Sequence, residues 1–181
     1  MAVLFLSEDE VRSVLTMDVA LAAVESAFRK LALDEAENVP RHRCQTDHAM
    51  LHVLPAAAKT LGALGLKAYT TTKHVAKFHV TLFDPKQGGM TAILEADFLG
   101  QMRTGAASGV ATKYLARPDA ETVGIFGTGK QARTQLLAMC AVRKVTRVHV
   151  YSRDAARRTA FAAEMAGVTG TDVVAVDTPQ E

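Results

Sequence analysis

The sequence predicts an α/β protein in two parts. An amino-terminal α+β domain, residues 1–118, precedes the first half of a Rossmann-like parallel sheet, residues 119–181. Three observations carry this expectation. From Thr122 the apolar pattern runs strand, helix, strand, helix, strand, and helices between consecutive strands imply parallel pairing with right-handed crossovers. Between the first of these strands and its helix stands Gly127-Thr128-Gly129-Lys130-Gln131-Ala132. Upstream, short strand-like runs follow one another without helices, and the turn Asp84-Pro85-Lys86-Gln87-Gly88-Gly89 joins two of them as a hairpin.

The elements follow in order. A short strand at residues 3–6 leads to Ser7, and Glu10 three residues later gives the spacing of a capping box, so a helix opens there. A second helix, from residue 17 or 18 to 33, carries Val19, Ala22, Ala23, Ala27 and Leu31 at helical spacing, and Asn38-Val39-Pro40 ends the unit. Strands are expected at residues 41–44, 49–54, 63–71, 78–83 and 90–94, and a helix rich in small residues runs from Asp97 to about 116, before Pro118. The parallel half has strands at 122–126, 147–152 and 173–176, with helices at 131–142 and 155–166.

Composition narrows the function classes. An apolar fraction of 49% with 22% charged residues is that of an ordinary globular protein. A net charge of +2, with no basic cluster carrying interleaved aromatics, argues against nucleic acid as a partner. No apolar run has the length of a membrane span, and the first residues lack a basic start and a cleavage site, so neither membrane nor secretion is expected and a cytoplasmic location is. Cys44 and Cys140 stand far apart with no metal spacing and are expected to be free buried thiols.

The glycine run sits where a dinucleotide site needs it. Gly127 allows the sharp turn, Gly129 allows a pyrophosphate to approach the backbone, and Ala132 keeps the helix close to the sheet. Thr128, Lys130 and Gln131 complete the run, and the free N–H groups of the helix start face the phosphates. Without its flanks the pair would be ordinary turn glycines. The second strand ends in Ser152-Arg153 where NAD sites usually place a carboxylate, so Ser152 and Arg153, with Arg157 or Arg158 one turn on, favour NADP(H) over NAD(H). The competing reading makes Arg153 a solvated residue at a helix start.

Five segments together resemble one family. LPAAA at residues 54–58, GLKAYT at 65–70, RTGAASG at 103–109, LARPDA at 115–120 and GTGKQAR at 127–133 are similar, in this order and spacing, to the amino-terminal part of ornithine cyclodeaminase/μ-crystallin proteins. The resemblance runs over essentially the whole chain. It implies a substrate and dimerisation domain ahead of a Rossmann domain, a homodimer, and nicotinamide hydride chemistry on amino or imino acids. Ornithine cyclodeaminases make proline and ammonia from ornithine; relatives reduce cyclic ketimines or interconvert alanine and pyruvate. Arg41, Lys67 and Arg103 match positions that hold the substrate carboxylate or order the site, a task suited to a guanidinium fork and a point charge. Arg103-Thr104-Gly105 is read as a helix opening that serves substrate and cofactor together, with Thr104 on the cofactor side. The family's catalytic aspartate falls after residue 181, so this chain alone is expected to be an inactive fragment. An alanine dehydrogenase-type oxidoreductase and a non-catalytic, crystallin-like binder of NADPH or a small ligand are the alternatives.

Taken singly, these residues have plainer readings. Lys67 would be a surface lysine on a strand, and Arg41 and Arg43 a solvated edge. The six histidines lack metal spacing and are read as structural or surface residues. His74 and His79 flank an expected loop at residues 73–77 that faces the expected substrate, and contact there is their alternative reading. The methionines are core filling.

Overall fold

Strand β1 (Leu4–Leu6) stops at Ser7, and the capping box read from the sequence forms there: the Ser7 Oγ accepts from the Glu10 N–H, and the Glu10 carboxylate accepts from the Ser7 N–H at 2.8 Å. It opens helix α1 (Glu8–Val14). The structure, a computed structural model, describes residues 2–180. Helix α2 (Met17–Ala32) is followed by strands β2 (Ala36–Asn38), β3 (His42–Gln45), β4 (Met50–Ala58), β5 (Ala63–Thr71), β6 (Ala76–Phe83) and β7 (Met90–Glu95). Helix α3 (Asp97–Leu115) leads to β8 (Thr122–Phe126), α4 (Lys130–Val142), β9 (Arg147–Tyr151), α5 (Ala155–Thr169) and β10 (Asp172–Ala175). The α/β class expected from the sequence is thus the class observed.

Two compact units form. The first holds the residues up to 16 and Glu25–Gly100; the second holds Met17–Val24 and the residues from Gln101 on. The division therefore falls inside α3, at residues 100–101, where the sequence suggests 118. The reason is packing: Gly105 and Gly109 of α3 meet Thr134 and Ala138 of α4, which ties the body of α3 to the parallel sheet.

In the first unit seven strands form one sheet in the order β1-β7-β6-β5-β4-β2, with β3 also on β4. β1 runs parallel to β7 and the other pairs are antiparallel. β4 is longer than its sequence pattern suggests, because it continues through Pro55. Its outer edge is shared: residues 50–53 pair with β3 and residues 56–58 with β2. Pro55, which has no N–H to give, falls at the changeover, where its carbonyl still accepts from the Val39 N–H at 3.0 Å. β2 is the strand the sequence misses. Ala36-Glu37-Asn38 has no apolar alternation and is a strand only through its backbone bonds to β4.

Two carboxylates cap helix starts in this unit. The Glu95 carboxylate accepts from the Glu8 N–H at 2.9 Å, and the Glu8 carboxylate accepts from the Asp97 and Phe98 N–H groups, the latter at 3.1 Å. A carboxylate at a helix start satisfies orphan donors and meets the positive end of the dipole. Glu8→Ala is expected to lower stability by about 1 kcal/mol, read as a lower urea midpoint; an unchanged midpoint would contradict this role.

The second unit is a parallel sheet in the order β10-β9-β8, with α4 and α5 as crossovers. Its core is Leu136, Val145, Val148, Val150, Phe161 and Met165. Among the described residues no helix is long and apolar enough to cross a membrane.

Candidate functional site

The chain turns sharply where β8 meets α4. Gly127 has φ +95°, a conformation open to glycine and strained for other residues, and its N–H donates to the Tyr151 carbonyl at 2.8 Å. Gly129 is the N-cap of α4 and has no side chain with which to cap it. Lys130, Gln131 and Ala132 make its first turn, and the Ala132 N–H donates to the Gly129 carbonyl at 3.1 Å. Gly129 itself has φ −77°, which any residue adopts, and a Cβ there would meet no heavy atom within 4 Å. Neither the backbone nor the packing of this chain requires a glycine at 129.

A cavity of about 550 Å³ adjoins this turn, lined by Ser108 and Thr112 of α3, residues 123–126 of β8, Gly127, Gly129 and α4. Thr104 stands in α3, where its carbonyl accepts from the Gln135 amide at 3.4 Å. Arg103 is exposed at the seventh position of α3, which begins at Asp97. The sequence reading that Arg103-Thr104-Gly105 opens a helix is therefore corrected: these residues lie mid-helix, where N–H groups are already bonded, so no helix-start attraction for an anion acts there.

Arg133, which closes the GTGKQAR segment, points elsewhere. Its guanidinium grips the Glu164 carboxylate of α5 with two bonds, the Nε bond being 2.7 Å, and lies over the Phe161 ring. The bond to Arg133 holds the Glu164 carboxyl below its ordinary range, and the same bond raises the Arg133 pKa. Arg133 joins α4 to α5.

After β9 come Ser152 and the exposed Arg153. Two of the nearby arginines are engaged by the protein. Arg158, largely buried, donates to the Ser152 carbonyl at 3.0 Å and pairs with Asp177. Arg157 pairs with Asp154 at 3.3 Å. Asp154 is the carboxylate the sequence reading passed over; it is the N-cap of α5, accepting from the Arg157 N–H at 3.0 Å.

In the first unit, Arg41 and Lys67 come together over one aromatic ring. The Arg41 guanidinium lies 5.6 Å and the Lys67 ammonium 5.3 Å from the centre of Tyr69, and Lys67 is also 5.0 Å from that of Phe78. Lys67 is half-buried on β5, with its ammonium near Gly100 of α3. Arg41 precedes β3 rather than lying in it. Tyr69 and His52 belong to this cluster and were not singled out from the sequence. The alternation of β5 places Tyr69 on the face of Lys67, and that signal was available. His79 is not part of it: it lies within β6 opposite Ala68, on the other face of the sheet from Lys67. Cys44 is exposed, unlike the buried thiol expected, because the face of β3 that carries it is uncovered; Cys140 is half-buried, and burial raises its pKa.

Known proteins match this arrangement. The chain is 34% identical over 168 residues to a Delta(1)-pyrroline-2-carboxylate reductase of Bacillus cereus, covering 88% of this chain and 52% of that protein. It is 34% identical over 158 residues to an alanine dehydrogenase of Archaeoglobus fulgidus, covering 83% and 48%. The chain thus spans about half the length of the curated relatives it matches. Among solved structures it is similar to Delta(1)-pyrroline-2-carboxylate reductase of Thermococcus litoralis in complex with NADH and L-proline, with a TM-score of 0.89 and 34% identity over 97% of this chain and 57% of that one. The model of one family matches residues 1–181, and the chain belongs to that family, the ornithine cyclodeaminase/mu-crystallin family.

Proposed function

We propose that this chain holds a nicotinamide dinucleotide and the carboxylate of an amino or cyclic imino acid, in the service of an NAD(P)-dependent reduction. Gly129 carries the reading, since a pyrophosphate at the start of α4 explains its identity, while a Cβ at residue 129 would meet no heavy atom of the protein within 4 Å. The turn from Gly127 into the start of α4 receives the phosphates, and the bound dinucleotide supplies the hydride. Arg41 and Lys67, gathered at Tyr69, offer a guanidinium fork and an ammonium to a planar carboxylate. Arg103 is assigned to the same carboxylate by the resemblance.

NADP(H) is favoured over NAD(H). Ser152 and the exposed Arg153 follow β9, and Asp154, the nearest carboxylate, is turned to its own helix start. Relatives solved with NADH or NAD support a nicotinamide site and leave the 2′-phosphate preference to measurement. The homodimer is also proposed: Phe5, Leu51 and Leu64 are exposed on the sheet face opposite Lys67, a surface suited to a second copy.

Titration of the chain with NADPH and with NADH tests the cofactor reading. NADPH is expected to bind more tightly, and Gly129→Val to weaken it by about tenfold or more, since the added methyls occupy the phosphate's approach, with a stability loss of about 1 kcal/mol from the poorer N-cap residue. Equal affinity in the variant would remove the cofactor site, and tighter NADH binding would reverse the preference. The chain alone is expected to bind without turnover, as the family aspartate is placed after residue 181. Cofactor-dependent reduction of a cyclic ketimine by these 181 residues would overturn that.

A further inference from the structure

Four side chains stand in one row across the first sheet. Arg43 on β3, His52 on β4, Tyr69 on β5 and Phe78 on β6 are directly opposite one another in register and share a face. The His52 and Tyr69 rings stack in parallel, with centres 4.2 Å apart and planes within 2°, and Tyr69 continues onto Phe78 at 5.0 Å. His52 is only 7% exposed, although it carries two polar nitrogens.

Those nitrogens are both engaged, and their partners fix the proton. The Arg43 Nε–H donates to Nδ1 at 3.3 Å, and Nε2 lies 3.1 Å from the Thr71 hydroxyl. A guanidinium only donates, so Nδ1 is bare. A neutral ring then carries its proton on Nε2 and donates it to Thr71. Burial, followed by the charges of Arg43 and Arg41, lowers the imidazole pKa and favours this neutral state. The ring is thus locked in plane, protonation and tautomer, flat against Tyr69.

We propose that His52 and Tyr69 are positioning residues for carboxylate binding: the locked imidazole holds the Tyr69 ring, and that ring is the common seat of Arg41 and Lys67. The role rests on the carboxylate reading given above. Neither residue needs to touch substrate. A flexible arginine and lysine each lose rotamer freedom on gripping an anion, and a shared aromatic seat removes part of that cost before the anion arrives. The geometry also accounts for the identity of residue 52. A phenylalanine would stack but leave Arg43 without an acceptor, and a leucine would do neither.

Dissociation constants for pyrrole-2-carboxylate, a planar cyclic carboxylate, separate this role from general support of the fold. Tyr69→Leu is expected to weaken binding about tenfold, and Tyr69→Phe, which keeps the ring, to restore most of it. His52→Gln, which can accept from Arg43 and donate to Thr71, is expected to bind more tightly than His52→Ala. NADPH affinity should stay constant throughout, since the cofactor residues lie on the other unit. Equal binding by Tyr69→Leu and Tyr69→Phe, or parallel loss of pyrrole-2-carboxylate and NADPH binding, would overturn the role. Failure of the unmodified chain to bind pyrrole-2-carboxylate while binding NADPH would remove the carboxylate reading, and this role with it.

Discussion

Gly105→Ala is expected to destabilise the protein by about 3 kcal/mol. A Cβ at residue 105 would lie 2.3 Å from the Thr134 carbonyl oxygen and 2.6 Å from its carbon. Both are backbone atoms inside α4, so relief requires the two helices to move apart. Intrinsic helix propensity acts in the opposite direction, alanine being favoured over glycine by about 1 kcal/mol in a helix interior, and the steric effect outweighs it. One turn along, Gly109→Ala would meet Leu21 Cδ2 at 2.7 Å and Ala138 Cβ at 3.0 Å. Leu21 can change rotamer, so this variant should lose less. Urea or thermal unfolding of both variants checks the order. A Gly105→Ala protein as stable as its parent would mean that α3 and α4 do not approach this closely in solution.

Arg143→Ala is expected to cost about 2 kcal/mol. This guanidinium gathers the carbonyls at the end of α3: Nη2 donates to Thr112, Lys113 and Ala116 at 2.9, 3.0 and 3.0 Å, and Nε to Arg117 at 3.2 Å. The last carbonyls of a helix have no partner within it and carry the negative end of its dipole, so a cation there is doubly favoured. Charge-assisted bonds contribute about 1.5–3 kcal/mol each when buried, but water can replace the arginine at the outer carbonyls, which reduces the loss. Arg143→Lys should recover less than half, because one ammonium cannot span these acceptors. If the lysine variant matches the parent, charge alone is what counts, and the fork geometry is irrelevant.

Much of the second unit was legible because its signals are local. The apolar run at residues 122–126 is bounded by Glu121 and Gly127, and strand and turn together predict the sharp bend into α4. Ser7 and Glu10 name the start of α1 in the same way. Residues 36–38 show the limit of that reasoning: their side chains say nothing of a strand, and only the β4 backbone makes them one. Pro55 misleads in the other direction, ending β4 in the pattern but not in the sheet, because a neighbour change at the edge accommodates it.

The candidate site divides along the same line. By itself the sequence determined the family, the α/β class and the glycine turn, each written in residues close together in the chain, and it offered Arg41, Lys67 and Arg103 as candidates. Only the tertiary structure decided that Arg41 and Lys67 meet at Tyr69, that His52 stacks on that ring, that Arg133 serves Glu164, and that the body of α3 packs on α4. Those facts arise from strand register and helix approach, which bring together atoms as far as 31 residues apart in the chain. A local pattern states what a side chain is able to bind; its partners are chosen by packing.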